Sequence, residues 1–219
     1  MFAIQFVSQE MFPLKRSDTA ENALLFMEDW QVKELPVVEL GKVIGYVTYA
    51  ITAERENERV EHFMLPPQPF VISAKLHLFD IWNHMANTGF TALALQNSEG
   101  NYEGMLRGRE MAMQAFAHSA LVQEGAVLVL EIEAIHYSLA EITRICETNE
   151  AKIIHLMVEP LKNEANILQV SIKLNKAYPA HVMASLERFG YKVIFSNGAE
   201  DPNHSLEDRY RWLVKYLNT

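Results

Sequence analysis

Apolar and polar positions follow the same pattern twice in the first half of the chain. The first copy runs from Ser17 to Thr48 and the second from Ala74 to Arg107. Matching apolar residues and glycines stand 58 residues apart before a polar turn near Asn97-Ser98-Glu99 and 59 residues apart after it. The matched pairs are Met27 with Met85, Leu35 with Leu93, Val37 with Leu95, Gly41 with Gly100, and Gly45 with Gly104. A shift confined to a turn indicates a duplicated unit whose hairpin changed length.

Each copy predicts a helix, a strand, a turn and a second strand. In the first copy, Ser17 or Asp18 can cap a helix with apolar residues at i, i+3, i+4 and i+7. This apolar face is formed by Ala20, Ala23, Leu24 and Met27 in the first copy, and by Leu78, Ile81, Trp82 and Met85 in the second. The predicted strands are Leu35–Leu40 and Val43–Thr48 around Gly41-Lys42, then 93–95 and 102–106 around Gly100.

The second half of the chain has a different pattern of apolar and polar residues. This pattern predicts the element order βαββαβ, which is that of the ferredoxin-like unit. Its predicted strands cover 126–132, 152–158, 167–174 and 191–195, with Pro160 ending the second strand and a polar turn over 161–165. Ser138 is expected to cap the first helix, and Pro179 to open the second, which Gly190 ends. The predicted apolar faces are Leu139, Ile142, Ile145 and Cys146 in the first helix, and Val182, Met183, Leu186 and Phe189 in the second.

A last helix is predicted after the break at Asp201-Pro202-Asn203, with Ser205 as its cap. Its apolar stripe consists of Leu206, Tyr210, Leu213, Val214 and Leu217. A helix this short is marginal alone in water, so we expect it to dock on its own chain or on a partner.

The repeated half resembles the CBS domain pair, also called a Bateman module. The resemblance rests on the helix ending near Met27, on Leu35-Pro36-Val37-Val38, and on the run from Gly41 to Thr48. In the second copy, Gly89, Gly100 and Gly104 stand where the family has glycines, and residues 60–64 followed by Pro66 resemble the entry into a second motif. The resemblance predicts a CBS pair over residues 1–120, with motifs at about 14–55 and 60–118.

Resemblance to CBS pairs also implies an adenine-nucleotide effector such as AMP, ADP or ATP. In the family, a hydroxyl after the last strand of each motif meets phosphate, and an Asp three residues later bonds the ribose. Thr48 keeps that hydroxyl in the first motif, but Ile51 stands at the Asp position and accepts no hydrogen bond. In the second motif Arg107 replaces the hydroxyl and Glu110 takes the acidic position, with Arg107 and Arg109 available for phosphate. Solvated residues at a helix start are the alternative interpretation of Arg107 and Glu110.

Residues 124–196 resemble an ACT domain, a small ligand-sensing fold of amino-acid metabolism. The similarity lies in residues 125–132, 139–142 and 186–193. The family places an Asp-x-Pro-Gly turn before its first helix, whereas this chain has residues 134–137 there, with Tyr137 in place of the glycine. The resemblance implies a ligand site at His136, Tyr137 and Ser138, although the Tyr137 ring is expected to fill the space that glycine leaves. A CBS pair followed by an ACT-like domain and a tail helix over 197–219 is similar to acetoin-utilisation B type proteins.

The composition argues against two classes of partner, nucleic acid and anionic membranes. The chain has 219 residues and a formal net charge of −9, so neither nucleic acid nor an anionic membrane is an expected partner. Met1 to Phe12 lacks the basic start of a signal peptide, no apolar run is long enough to span a bilayer, and a cytoplasmic location is expected. The single cysteine, Cys146, excludes an internal disulfide and is expected to be buried in a helix.

No catalytic constellation emerges from the sequence. His77, Asp80 and His84 share a helical face and could gather around a metal, but the solvated face opposite the apolar one explains them better, and no metal site is expected. The predicted helices and strands give the fold class α+β. In the absence of a catalytic motif, we expect a non-catalytic sensor that needs no cofactor. The alternatives are a ligand-free assembly module with degenerate pockets and, last, an enzyme. A homodimer is expected both for the sensor and for the assembly module. The other expected partner is a regulated enzyme or another protein.

Overall fold

The computed structural model describes residues 1–8, 10–55, 57–162 and 164–198. Helices and sheets both occur, so the α+β class is confirmed. The chain divides into two compact units, Met1–Ala115 and Phe116–Thr219, each with its own core.

The first repeat of unit 1 consists of α1 (Ala20–Trp30), β1 (Glu34–Glu39), β2 (Lys42–Thr48) and α2 (Tyr49–Ala53). Thr19 caps α1, because its hydroxyl accepts the Asn22 N–H at 3.3 Å, while Asp18 instead accepts the Lys15 N–H; the predicted cap at Ser17 or Asp18 was wrong. The antiparallel β1–β2 hairpin turns on Leu40 and Gly41, one residue earlier than predicted. Both have positive φ (50° and 78°), as a two-residue type I′ turn requires.

The second repeat contains α3 (Leu78–Thr88), β4 (Ala92–Gln96), β5 (Tyr102–Arg107) and α4 (Gly108–Ala117). A short strand that the sequence did not predict, β3 (Val71–Ser73), pairs in parallel with β4, and β4 pairs antiparallel with β5. The core of unit 1 draws on equivalent positions of both repeats. Fully or almost fully buried members include Ala23, Met27, Leu35, Val37, Ile81, Leu93 and Leu95.

Unit 2 has the predicted order βαββαβ. Its elements are β6 (Val127–Glu133), α5 (Leu139–Thr148), β7 (Ile153–Leu161), β8 (Glu164–Leu174), α6 (Ala180–Arg188) and β9 (Lys192–Ser196). The strands form one antiparallel sheet in the order β7-β8-β6-β9. Val170, Ile172 and Leu174 alternate into the core as predicted, together with Ile142, Ile145 and Cys146 of α5.

Some details of unit 2 differ from the sequence prediction. Pro160 lies inside β7 and pairs with Leu168, which is tolerated because β7 is an edge strand. Strands β7 and β8 therefore extend into the predicted 161–165 turn. Leu139 and Phe189 are about half exposed rather than buried, because one begins α5 and the other follows the last residue of α6.

The predicted tail helix over 197–219 falls, beyond Gly198, outside the described residues. Within the described part of the chain, no helix combines the length and the apolar character needed to cross a membrane.

Candidate functional site

A cleft of about 770 Å³ lies in unit 1 between elements of both repeats. The C-terminal end of α1 and the residue after its cap supply one side through Trp30, Gln31 and Val32. Helix α3 and the two residues before β4 supply another. The end of β5 and the first two turns of α4 complete it with Arg107, Gly108, Arg109, Glu110, Ala112, Met113 and Gln114. This volume is in the range of small-molecule sites.

The apolar part of the cleft is mainly aromatic. Trp30, Trp82 and Phe90 line it together with Met85. Trp30 is stacked on Phe26 with ring centroids 5.0 Å apart, which fixes the orientation of its indole. Flat, half-buried rings of this kind suit a flat ligand group such as a nucleobase. The repeat pattern marks Trp82 only as a helical core position, and no sequence motif identifies these rings as cleft residues.

The polar part of the cleft comes from the second repeat. Arg107 and Glu110 form an ion pair between Nη2 and Oε1, one helical turn apart. Arg107 Nη1 also donates to the Trp30 carbonyl at 3.4 Å, and Arg109 Nη1 donates to Gln31 Oε1 at 2.9 Å. Among the described residues, the Nε atom of Arg107 is buried and has no hydrogen-bond partner.

A buried carboxylate holds the two repeats together beside the cleft. Glu34 is 5% exposed, and its Oε2 accepts the Thr91 N–H at 2.9 Å, the Thr91 hydroxyl at 2.7 Å and the Ala92 N–H at 3.2 Å. The Thr91 hydroxyl in turn accepts the Lys33 N–H at 2.9 Å. Burial, and secondarily the Glu34 charge, raise the pKa of Tyr46. Glu34 was not predicted as a contact residue, although a carboxylate beside the apolar run 35–38 was a usable signal.

Three of the four residues predicted for the CBS site lie together in this cleft: Arg107, Arg109 and Glu110. The fourth, Thr48, occupies the N-cap of α2, where its hydroxyl accepts the Ile51 N–H at 3.4 Å. Ile51 packs against the core of unit 1. The hydroxyl of Thr48 and the side chain of Ile51 therefore serve local structure in the first repeat.

Unit 2 contains a cleft of about 530 Å³, lined in part by Glu131, Glu133, His136 and Lys192. Lys192 pairs with Glu131 at 2.6 Å, and His136 Nδ1 lies 3.4 Å from Glu133 Oε2. Of the three residues predicted for an ACT ligand, His136 lines this cleft. Ser138 caps α5 by accepting the Glu141 N–H at 3.3 Å, and Tyr137 packs against the core.

Two further groups have local structural roles. His77 Nδ1 accepts the Phe79 N–H at the start of α3, and His84 Nε2 bonds the Pro69 carbonyl oxygen at 2.7 Å. Across the described ranges, no group of three or more His, Cys, Asp or Glu side chains is arranged to hold a metal ion. Cys146 is buried in α5 as predicted, and burial raises the pKa of its thiol to about 11.

Comparison with protein-family models gives one match, in the first half of the chain. A family model described as the CBS domain matches residues 3–50. An uncharacterized protein of Methanocaldococcus jannaschii is 24% identical over 109 residues, which cover 49% of this chain and 41% of that protein. The chain therefore matches less than half the length of this curated relative.

Two solved structures illustrate the structural similarity. A CBS domain pair/ACT domain protein from Thermotoga maritima has 17% identity and a TM-score of 0.47, covering 53% of this chain and 98% of that chain. The structure of CBSX2, an Arabidopsis thaliana protein, in complex with AMP has 20% identity and a TM-score of 0.46, covering 53% and 96% respectively. The CBS domain match at residues 3–50 contains α1, β1 and β2, and thus falls on the first of the two repeats.

Proposed function

We propose that unit 1 is a CBS pair that binds an adenine-nucleotide-like effector in the 770 Å³ cleft, and that the protein is a non-catalytic, cytoplasmic regulatory sensor. Unit 2 is then an ACT-like domain that serves a second ligand or dimerisation. The observation that carries the proposal is the meeting of aromatic rings, two arginines and a carboxylate in one cleft.

Each part of a nucleotide has a matching group in the cleft. Trp30, Trp82 and Phe90 offer flat surfaces for the base. Arg107 and Arg109 supply guanidinium groups for phosphate, because a planar fork of donors matches its oxygens. Glu110 is the acceptor for ribose hydroxyls, since a carboxylate oxygen that is already paired with Arg107 still has a second lone pair, and the other oxygen has two.

One nucleotide per chain is expected. In the first repeat the equivalent positions are Thr48, whose hydroxyl caps α2, and Ile51, which accepts no hydrogen bond. A ribose hydroxyl buried there would be unpaired, at a cost on the order of 1–3 kcal/mol.

The cleft also offers a route from binding to signalling. Its walls come from the end of α1 in the first repeat and from α3 and α4 in the second. A ligand that contacts both repeats can favour one arrangement of them over another, which is the requirement for a population shift. A ligand-free assembly module is the alternative, favoured by the internal pairing of Arg107 with Glu110.

Titration calorimetry with AMP, ADP and ATP tests the proposal. We expect one site per chain, and we expect Glu110→Ala to weaken binding about tenfold, the effect of losing a hydrogen bond to a charged group. Freeing Arg107 offsets little of this loss, because the Glu110 side chain is 40% exposed and exposed ion pairs contribute less than about 1 kcal/mol.

Glu103→Ala is the matched control, because Glu103 lies in β5, bonds Asn97 and is exposed. Two equivalent sites, or an affinity unaffected by Glu110→Ala, would contradict the proposed contacts. Binding of none of the three nucleotides would favour the assembly module.

A further inference from the structure

Both arginines of the cleft are held by oxygen atoms of the protein itself. Arg107 contacts the Trp30 carbonyl and Glu110, and Arg109 contacts the Gln31 side-chain amide. Trp30 is the last residue of α1 and Gln31 is its C-cap. The C-terminal end of a helix carries the negative end of its dipole, so it attracts guanidinium groups as an anionic ligand would.

We propose that Gln31 sets the anion affinity of the cleft by engaging one face of the Arg109 guanidinium, so that a phosphate group competes with the Gln31 amide for the donors of Arg109. The inference deepens the proposed function and rests on it to the extent that the anion is the phosphate of a nucleotide. The Arg109–Gln31 distance of 2.9 Å is that of a good hydrogen bond, and both side chains are exposed, so the contact can exchange without unfolding.

The backbone conformation of Gln31 allows its side chain to be removed without a change in the fold of α1. Its φ of 54° places it in the left-handed region, where glycine is favoured at helix C-termini. Gln31→Gly therefore removes the amide without straining the backbone. Gln31→Glu keeps the length of the side chain and replaces a neutral acceptor of Arg109 with a charged one.

Opposite effects of these two variants are expected. Gln31→Gly should bind AMP and inorganic pyrophosphate about two- to fivefold more tightly, the size of one exposed hydrogen bond. Gln31→Glu should weaken both by at least as much, because its carboxylate competes with the anion for Arg109 and repels it. The weakening should diminish at high salt.

Leu40→Gly is the matched control. Leu40 also has a positive φ (50°), is almost fully exposed in the β1–β2 turn, and is not among the residues that line the cleft. It reproduces the relief of backbone strain, so its melting temperature is the reference for that of Gln31→Gly. Its anion affinity should equal that of the wild type.

Calorimetry with both probes separates the outcomes. Tighter binding by Gln31→Gly and weaker binding by Gln31→Glu support the inference. Wild-type binding of AMP with no change in either variant overturns it and leaves the proposed function standing. Binding of pyrophosphate but not AMP, with the two variants again diverging, supports the inference and removes the adenine-nucleotide proposal. Absence of binding by the wild type and by Gln31→Gly removes both.

Discussion

Glu34 is expected to be a principal stabilising contact between the two repeats of unit 1. Replacing it with alanine removes the acceptor of three donors: the Thr91 N–H, the Thr91 hydroxyl and the Ala92 N–H. A buried donor without a partner costs about 1–3 kcal/mol. Ala92 is fully buried whereas Thr91 is partly exposed, so water can satisfy part of the loss. We therefore expect Glu34→Ala to lower the free energy of unfolding of unit 1 by about 3–4 kcal/mol.

The matched control is Glu39→Ala, in the same strand. The Glu39 carboxylate pairs with Arg16 at 3.3 Å, but both side chains are about half exposed, and such a pair contributes less than about 1 kcal/mol. Glu34→Gln should lie between the two variants, because its amide oxygen can still accept hydrogen bonds but carries no full charge.

Urea denaturation followed by tryptophan fluorescence measures this difference. The chain has three tryptophans, Trp30, Trp82 and Trp212, and the first two lie in unit 1. In a Trp212→Phe background the signal reports on unit 1 alone, which avoids treating two units as one transition. If Glu34→Ala loses no more stability than Glu39→Ala, the hydrogen bonds to Glu34 do not hold the repeats together as argued.

Three other predictions concern unit 2, the assembly and the tail. The thiol of Cys146, with its pKa raised from 9.0 to about 11, keeps its proton in the folded state while the unfolded chain loses it. The free energy of unfolding should therefore be unaffected by this group below pH 9 and fall between pH 9 and 11, and Cys146→Ala should reduce that fall. Sedimentation at micromolar concentration should show a homodimer, and a monomer would contradict the expected pairing of exposed surfaces. Truncation after Gly198 should lower the melting temperature or dimer affinity, because burying a leucine such as Leu213 or Leu217 contributes roughly 1.5–3 kcal/mol; an unchanged protein would show the tail to be dispensable.

The periodicity of apolar residues predicted most of the helices and strands, because apolar residues recur at the positions that are buried. The spacing of Ala20, Ala23 and Met27 is the spacing of residues that are buried in α1, and the alternation of 168–174 is that of β8. Periodicity fails at element ends, where Leu139 and Phe189 keep the helical spacing but reach solvent. Periodicity also did not identify the cap of α1, because Thr19, Ser17 and Asp18 have similar capping chemistry and only the backbone geometry selects one.

The candidate site was only partly predictable for a related reason. A family pattern names residues one at a time, and thus pointed to Arg107, Arg109 and Glu110. Their partners lie in the other repeat: Trp30 and Gln31 are more than 70 residues away along the chain. Glu34 likewise bonds Thr91 and Ala92, which sequence spacing within one element does not bring together.

The two repeats share a scaffold but assign opposite chemistry to the same position. Thr48 ends β2 and satisfies the first turn of α2 with its hydroxyl oxygen. Its counterpart Arg107 ends β5, and a guanidinium has no acceptor with which to cap α4. The start of α4 therefore combines the positive end of a helix dipole with Arg107 and Arg109, balanced by the single carboxylate of Glu110 in the first turn. In the first repeat, Ile51 replaces that carboxylate and joins the core. The change from a capping hydroxyl to an arginine therefore places two guanidinium groups, those of Arg107 and Arg109, at this helix start in the second repeat, whereas the equivalent start of α2 carries none.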